Sequence, residues 1–324
     1  MSELAVADFL ATVPLFDGLD EAGRAELARV LRPRTIARDE VVWHQGDDAR
    51  ELLLVVEGAL SASLQVPGHG TVEIATAASG DTVGEIALLD GGTHTMGVRA
   101  AEDTTVLALG GVELAALLAP QDPAAFRLKR RLAVLLTARH RNQLARLAAS
   151  LGGAAPGPPA GDADRAFAEL EYCGPPDSRY VRRMATFHDL DSLALWGFLT
   201  SGSYARTPRG RTLVAEGAPA TACYLTINGA VEQVLARGSR RIRVGLAGPG
   251  KAFGYESLID GGPSPVTAVT RERALLLVLP RDRFAQLFHG EDAVSRVFLD
   301  VIQRELVAAL RQTLRPHARL AASL

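Results

Sequence analysis

The sequence predicts a mainly β fold with flanking helices (α+β), built as two tandem copies of one domain, each followed by a long C-terminal helix. Three observations carry this expectation: an internal repeat, short strand-like runs punctuated by glycine inside each copy, and a Gly/Pro/Ala-rich bridge between the copies.

The repeat is read from matched landmarks. Phe16 pairs with Phe187, Leu19 with Leu190, Gly46 with Gly217 and Gly58 with Gly229, always 171 positions apart. From Gly80/Gly250 through Gly84/Gly254 to Gly92/Gly262 the separation is 170, as one deletion in a loop would leave it. Two copies are too few for a solenoid, and each has the length of an ordinary domain. The boundaries are therefore set at 1–151 and 165–324. The stretch 152–164, GGAAPGPPAGDAD, forms a flexible linker that cannot bury a core.

Each copy has the same internal order. A helix opens it, as over Glu21 to Leu31, where Leu27, Val30 and Leu31 share one face. Short strands follow, VVWHQGDDARELLLVVEGALSASLQV in the first copy and TLVAEGAPATACYLTINGAVEQVLA in the second. Gly46, Gly58, Gly217 and Gly229 stand where tight turns need positive φ. Many short strands at even spacing mean a sandwich or barrel. The runs TVLALG and ALLLVLP close the sheets, and long helices follow from about Ala124 to Ser150 and from about Ala293 to Leu314.

Composition sets limits. The chain has 324 residues, 48% of them hydrophobic, with a formal net charge of −2, which suits a soluble globular protein better than a nucleic-acid binder. No apolar run approaches the roughly 20 residues that a membrane span needs. The start, MSELAVADFL, lacks the basic region of a secretory signal. Cys173 and Cys223 are isolated and make neither a disulfide framework nor a zinc site, so a reducing cytoplasm is expected. Lys129 and Lys251 are the only lysines, as in proteins of GC-rich bacterial genomes.

The stretches GEIALLDGG (84–92) and GYESLIDGG (254–262) occupy the same place in the repeat. With LATVPLFDGLDEAGRAEL, HQGD and VVEGAL before it, the first copy resembles the cyclic-nucleotide-binding domain over nearly its whole length. That is the β-roll (jelly-roll-like) sensor of catabolite-activator proteins and of kinase regulatory subunits. The second copy resembles it more weakly over the same span. The resemblance implies a phosphate-binding cassette with three parts. Backbone N–H groups of a short helix face the cyclic phosphate. A glutamate after the glycine takes the ribose 2′-OH, and an arginine beyond the loop pairs with the phosphate. The family pattern is G-E-x-A-L, a loop, then P-R-[ST]-A.

Both cassettes depart from it. In the first, Gly84, Glu85, Ile86, Ala87 and Leu88 match, but the second half reads Thr93-His94-Thr95-Met96, with His94 in the arginine's place. In the second, Tyr255 stands at the glutamate position, Glu256 comes one place late and is expected to point elsewhere, and Ser257 follows. Pro263 is kept, while Ser264 replaces the arginine and Pro265 the hydroxyl residue. Removing one partner of a buried charged pair costs about 2–5 kcal/mol. A site of about micromolar affinity would fall to roughly 0.03–5 mM.

Each candidate has two readings. His94 is an exposed loop residue or a weak, acid-favoured phosphate partner. Glu85 binds a ribose or caps the cassette helix. Tyr255 fills the pocket or stacks on a base. Arg99 lies on a solvated strand face or reaches a ligand. Asp90-Gly91-Gly92 and Asp260-Gly261-Gly262 are turn chemistry first.

The long helices carry apolar stripes. Leu128, Leu132, Leu135, Leu136, Leu144, Leu147 and Leu151 form one, interrupted near Arg139 and His140; Val294, Phe298, Ile302, Leu306 and Leu310 form the other. They are read either as packing on their own barrel or as homodimer faces through Leu128, Leu132 and Leu136 and through Val294, Phe298, Ile302 and Leu306. The arginines around the first stripe form a solvated face or meet an acidic partner.

The chain ends at QTLRPHARLAASL without space for a helix-turn-helix, and residues 1–15 contain no arginine for a kinase-inhibitor segment. DNA binding and kinase inhibition are therefore not expected. No nucleophile triad, metal-ligand spacing or P-loop stands out, so no enzyme, cofactor or metal is expected. The leading expectation is a regulatory or scaffold protein with degenerate cassettes that acts through protein partners or self-association. The alternative is a sensor whose first domain binds a cyclic mononucleotide weakly.

Overall fold

A computed structural model describes residues 2–68, 70–119, 122–154, 170–182, 184, 187 and 190–321. The chain divides into two compact units, one reaching to Leu132 and the other spanning Ala133–Leu320.

The first unit opens with α1 (Glu3–Leu10), a 3-10 turn at Pro14–Phe16 and α2 (Glu21–Val30). Asp20 starts α2 by accepting a hydrogen bond from the Gly23 amide, which satisfies one of the unpaired donors of the first turn. Eight strands follow in two four-stranded sheets. One has the order β1 (Arg32–Ile36), β8 (Thr104–Gly110), β3 (Glu51–Glu57), β6 (Thr82–Val83); the other has β2 (Val41–Trp43), β7 (Gly97–Ala100), β4 (Leu60–Val66), β5 (Gly70–Ala77). Inward residues of both sheets, Ile36, Leu53, Val55, Leu60, Ala62, Val98 and Val106 among them, meet in one core. The short helix α3 (Glu85–Asp90) lies between β6 and β7, and α4 (Gly111–Leu118) precedes the long helix α5 (Pro123–Leu151).

The second unit repeats the plan. Beside α6 (Ser178–Arg182) and α7 (Ser192–Leu199), one sheet has the order β15 (Ala252–Phe253), β12 (Ala222–Asn228), β17 (Ala274–Pro280), β10 (Ser203–Thr207), β9 (Glu171–Cys173), of which β9 precedes both helices in the chain. The other has β11 (Thr212–Val214), β16 (Thr267–Thr270), β13 (Val231–Arg237), β14 (Arg240–Ala247). The edge strand β9 has no counterpart among the described residues of the first unit, and the sequence reading does not include it. Helices α8 (Glu256–Asp260), α9 (Arg281–His289) and α10 (Ala293–Ala321) complete the unit.

One glycine in each copy shows why the plan survived. Gly58 and Gly229 turn the chain at φ +86° and +88°, and a Cβ there would lie 2.6 and 2.5 Å from a backbone oxygen of the facing loop. Only glycine fits both the left-handed backbone and that space.

The sequence reading ends the first domain at Leu151, but the second half of α5 packs within the second unit. Leu144, Leu147, Ala148 and Leu151 cluster with Leu235, Val244 and Val266, and Ile242 packs alongside. The expected linker begins inside this arrangement, since the Gly238 amide donates to the Ala154 carbonyl at 3.2 Å. Its remainder, 155–164, lies outside the described residues.

The homodimer faces are corrected too. Leu128, Leu132, Leu136, Phe298, Ile302 and Leu306 are buried within the chain, and Val294 is half-buried with its Cγ2 close to Gly197. Side chains already covered by their own chain are not available to a second copy.

Candidate functional site

The first cassette begins at Gly84, which N-caps α3 in the left-handed region at φ +95°. A Cβ there would sit 2.8 Å from the Glu51 carbonyl and 3.3 Å from the far edge of the Trp43 ring. Glu85 therefore enters the first turn without being the capping residue, and its side chain turns inward, 1% exposed. Ala87 is buried and Ile86 half-buried. At the other end Gly91 takes a left-handed C-cap, and the Asp90 carboxylate accepts from the Gly92 amide at 3.0 Å.

His94 is not exposed. Its ring stacks on Trp43, centroids 4.1 Å apart and planes 8° from parallel, leaving the residue 6% exposed. The turn facing it holds it there: the His94 amide donates to the Asp47 carbonyl and the Gly46 amide donates to the His94 carbonyl, both at 2.8 Å. Trp43 is fixed in turn by its indole N–H, which donates to the Met96 carbonyl at 3.2 Å. Thr95 is half-buried beside them. Arg99 pairs with Asp39 at 3.0 Å on the exposed strand face.

The second cassette keeps the backbone frame and changes the filling. Gly254 is again left-handed at φ +77°, but its neighbour is the Val214 side chain in place of an indole. Ser264 holds the place of His94: its amide donates to the Ala218 carbonyl at 2.7 Å and the Gly217 amide donates to its carbonyl at 2.9 Å. The Ser264 hydroxyl donates to the Val266 carbonyl at 3.0 Å and is thereby used inside its own loop. Ser257 is buried, its hydroxyl accepting from the Ala220 amide at 3.0 Å. Tyr224 and Phe253 stack at 5.1 Å and add bulk below the cassette.

Tyr255 is 2% exposed, and burial first, then Glu256, Glu305 and Cys223, holds its hydroxyl well above the ordinary range. Glu256 is equally buried and lies with Oε1 3.3 Å from His140 Nδ1. The two atoms are within ion-pair distance without hydrogen-bond alignment. The other ring nitrogen of His140 is 3.1 Å from the Thr313 hydroxyl. Nearby, burial pushes the Glu305 carboxyl up to about 7, outweighing the opposing pull of Lys251 Nζ at 3.1 Å.

Residues missed by sequence reasoning complete the picture. Arg141, one position beyond His140 on α5, donates from Nε and Nη2 to the two carboxylate oxygens of Asp260 and from Nη1 to the Pro263 carbonyl. The interruption of the α5 stripe at Arg139 and His140 was the visible signal. Among the described residues no group of three or more His, Cys, Asp or Glu side chains could hold a metal ion, and no helix is long and apolar enough to cross a membrane.

Comparison with known proteins gives the family. The family described as the cyclic nucleotide-binding domain matches residues 33–121 and 205–291, more than half of the chain. A cAMP-dependent protein kinase regulatory subunit from Mycosarcoma maydis is 37% identical over 97 residues, covering 30% of this chain and 18% of that protein. A cyclic nucleotide-gated potassium channel from Rhizobium etli is 33% identical over 104 residues, covering 32% and 28%. The chain thus spans less than a third of either relative. Among solved structures, the regulatory domain of Toxoplasma gondii PKA with cAMP is 17% identical, covering 89% of this chain and 93% of that one, with a TM-score of 0.34.

Proposed function

The chain belongs to the cyclic nucleotide-binding domain family, and from that premise we propose a non-enzymatic regulatory protein whose two cassettes have lost the ordinary phosphate anchor. One observation carries this reading. At the two places where the family pattern has an arginine, the His94 ring is stacked on Trp43 and the Ser264 hydroxyl is bonded to the Val266 carbonyl. Neither presents a fixed guanidinium to an anion. Action through a protein partner is the mode that fits. The second unit exposes Leu193 (80%) and Trp196 (43%) three positions apart on α7, the spacing of one helix face.

A second reading is favoured by Glu85. An inward carboxylate in the first turn of α3, after a left-handed Gly84, is the part of the cassette that would meet a ribose hydroxyl. The first domain would then take a cyclic mononucleotide weakly, with His94 contributing more as it becomes protonated.

Titration calorimetry of the whole chain with cyclic AMP and cyclic GMP at pH 6 and pH 7.5 separates the two. The leading reading expects no heat up to millimolar ligand at either pH. Binding that tightens at pH 6, and by about tenfold or more in His94→Arg at pH 7.5, would establish the sensor instead.

A further inference from the structure

We propose that the second cassette holds an arginine-bearing amphipathic helix where its relatives hold a nucleotide, and that residues 140–151 of α5 are that occupant. The loop after α8 carries the first part of the case. In place of an arginine reaching out to an anion, it offers a carboxylate and a carbonyl to an incoming guanidinium. Both Asp260 oxygens accept from Arg141 in a forked pair, Nη2 at 2.8 Å, and the Pro263 carbonyl accepts from Nη1 at 2.6 Å. Asp260 is aimed by its own turn, where it accepts from the Gly262 amide at 2.9 Å. The polarity of the loop is reversed, from one that receives an anion to one that receives a planar cation.

The rest of the segment matches a groove. Arg141, Leu144, Leu147, Ala148 and Leu151 recur at three- and four-residue steps and so share one face of the helix. The leucines and the alanine lie on Leu235 of β13, Ile242 and Val244 of β14, and Val266 just past the cassette. The far end is held as well, because Arg240 Nη1 donates to the Leu151 carbonyl at 3.0 Å. Charge-assisted bonds at both ends with apolar anchors between are the pattern of a helix bound in a groove. Because the occupant is covalently attached, it competes at the high effective concentration of a tethered ligand. This assignment concerns the second cassette alone, and a positive nucleotide titration at the first would leave it standing.

Hydrogen exchange measured by mass spectrometry on the whole chain tests it, comparing wild type with Arg141→Ala, Asp260→Ala and the double variant. Each single substitution is expected to speed exchange over 142–151 at least tenfold and leave β12 and β17 unchanged. The double variant should be no faster than the faster single, because removing either partner already ends the clasp. Unchanged exchange in the singles, fold-changes that multiply in the double, or faster exchange across β12 and β17 alike would each overturn the proposal. Arg141→Lys, which keeps the charge and loses the fork, should fall between wild type and Arg141→Ala, and serves if the alanine variant does not fold.

Discussion

The two cassettes share a backbone and differ in nearly everything that fills it. Gly84 and Gly254 take the same left-handed turn, and His94 and Ser264 make the same two backbone bonds to the turn facing them. Around that frame, Trp43 and His94 in one domain stand where Val214 and Ser264 stand in the other, and inward Glu85 is matched by buried Tyr255. The lesson is that glycines and ladder bonds preserve a fold locally, so the side chains between them are free to change chemistry. One cassette kept an inward carboxylate. The other was closed by aromatic bulk and by a helix from its own chain.

The largest expected effect breaks that closure. Leu147→Ala deletes a fully buried side chain from the helix over the second cassette and should lower the stability of that unit by about 2–5 kcal/mol. Denaturant melts followed by hydrogen exchange in β13 and β14 would show it; an unchanged midpoint would mean that α5 is not part of that core.

Next comes acid–base behaviour, which should mark the second domain. The folded Glu305 carboxyl sits at about 7 against an ordinary 4.5. Below pH 4.5 it is protonated in both states. As pH rises toward 7 the unfolded chain releases the proton and the folded chain retains it, so stability falls. The full loss above that window is on the order of 3 kcal/mol. Glu305→Gln should flatten this part of the profile, with Lys251, Cys223, Tyr255 and Glu256 left in place around it. Equal slopes in the variant and wild type would reject it.

A smaller difference sharpens the comparison between the glycines. Alanine at Gly84 meets the Glu51 carbonyl at 2.8 Å, whereas at Gly254 the nearest atoms are 3.2 Å away. Both substitutions carry the left-handed penalty of about 1–2 kcal/mol, and Gly84→Ala should exceed Gly254→Ala by about 1 kcal/mol in thermal melts.

Much of the fold was legible because its determinants are local. Turn glycines, alternating strands and matched spacings can be read one segment at a time, and the strands, the cassette helices and the long helices fell where those marks put them. The long-range pairings were not legible. An apolar stripe shows that a helix face is covered, not by what: Leu128, Leu132 and Leu136 were open to reading as barrel packing or as a dimer face and are buried within the chain, and nothing in the stripe says that Leu144, Leu147 and Leu151 lie on β13 and β14. The Trp43–His94 stack joins a residue of β2 to one of the loop before β7, and nothing near His94 announces it. Strand β9 is three residues beside the linker and carries no periodicity of its own. Arg141 lay beside the break in the stripe at Arg139 and His140, but its partner Asp260 is over a hundred positions away.

Helix α5 runs from Pro123 to Leu151 with no interior proline or glycine, and the boundary between the compact units falls inside it. That has a practical consequence for anyone dissecting the protein. The Gly/Pro/Ala stretch looks like the seam, yet a fragment cut there would leave the second domain without Arg141, Leu144, Leu147 and Leu151, and would bare Leu235, Ile242, Val244 and Val266 to solvent. A faithful half-molecule has to carry the end of the other domain's helix with it, so these two repeats, though copies of one another, are not interchangeable parts.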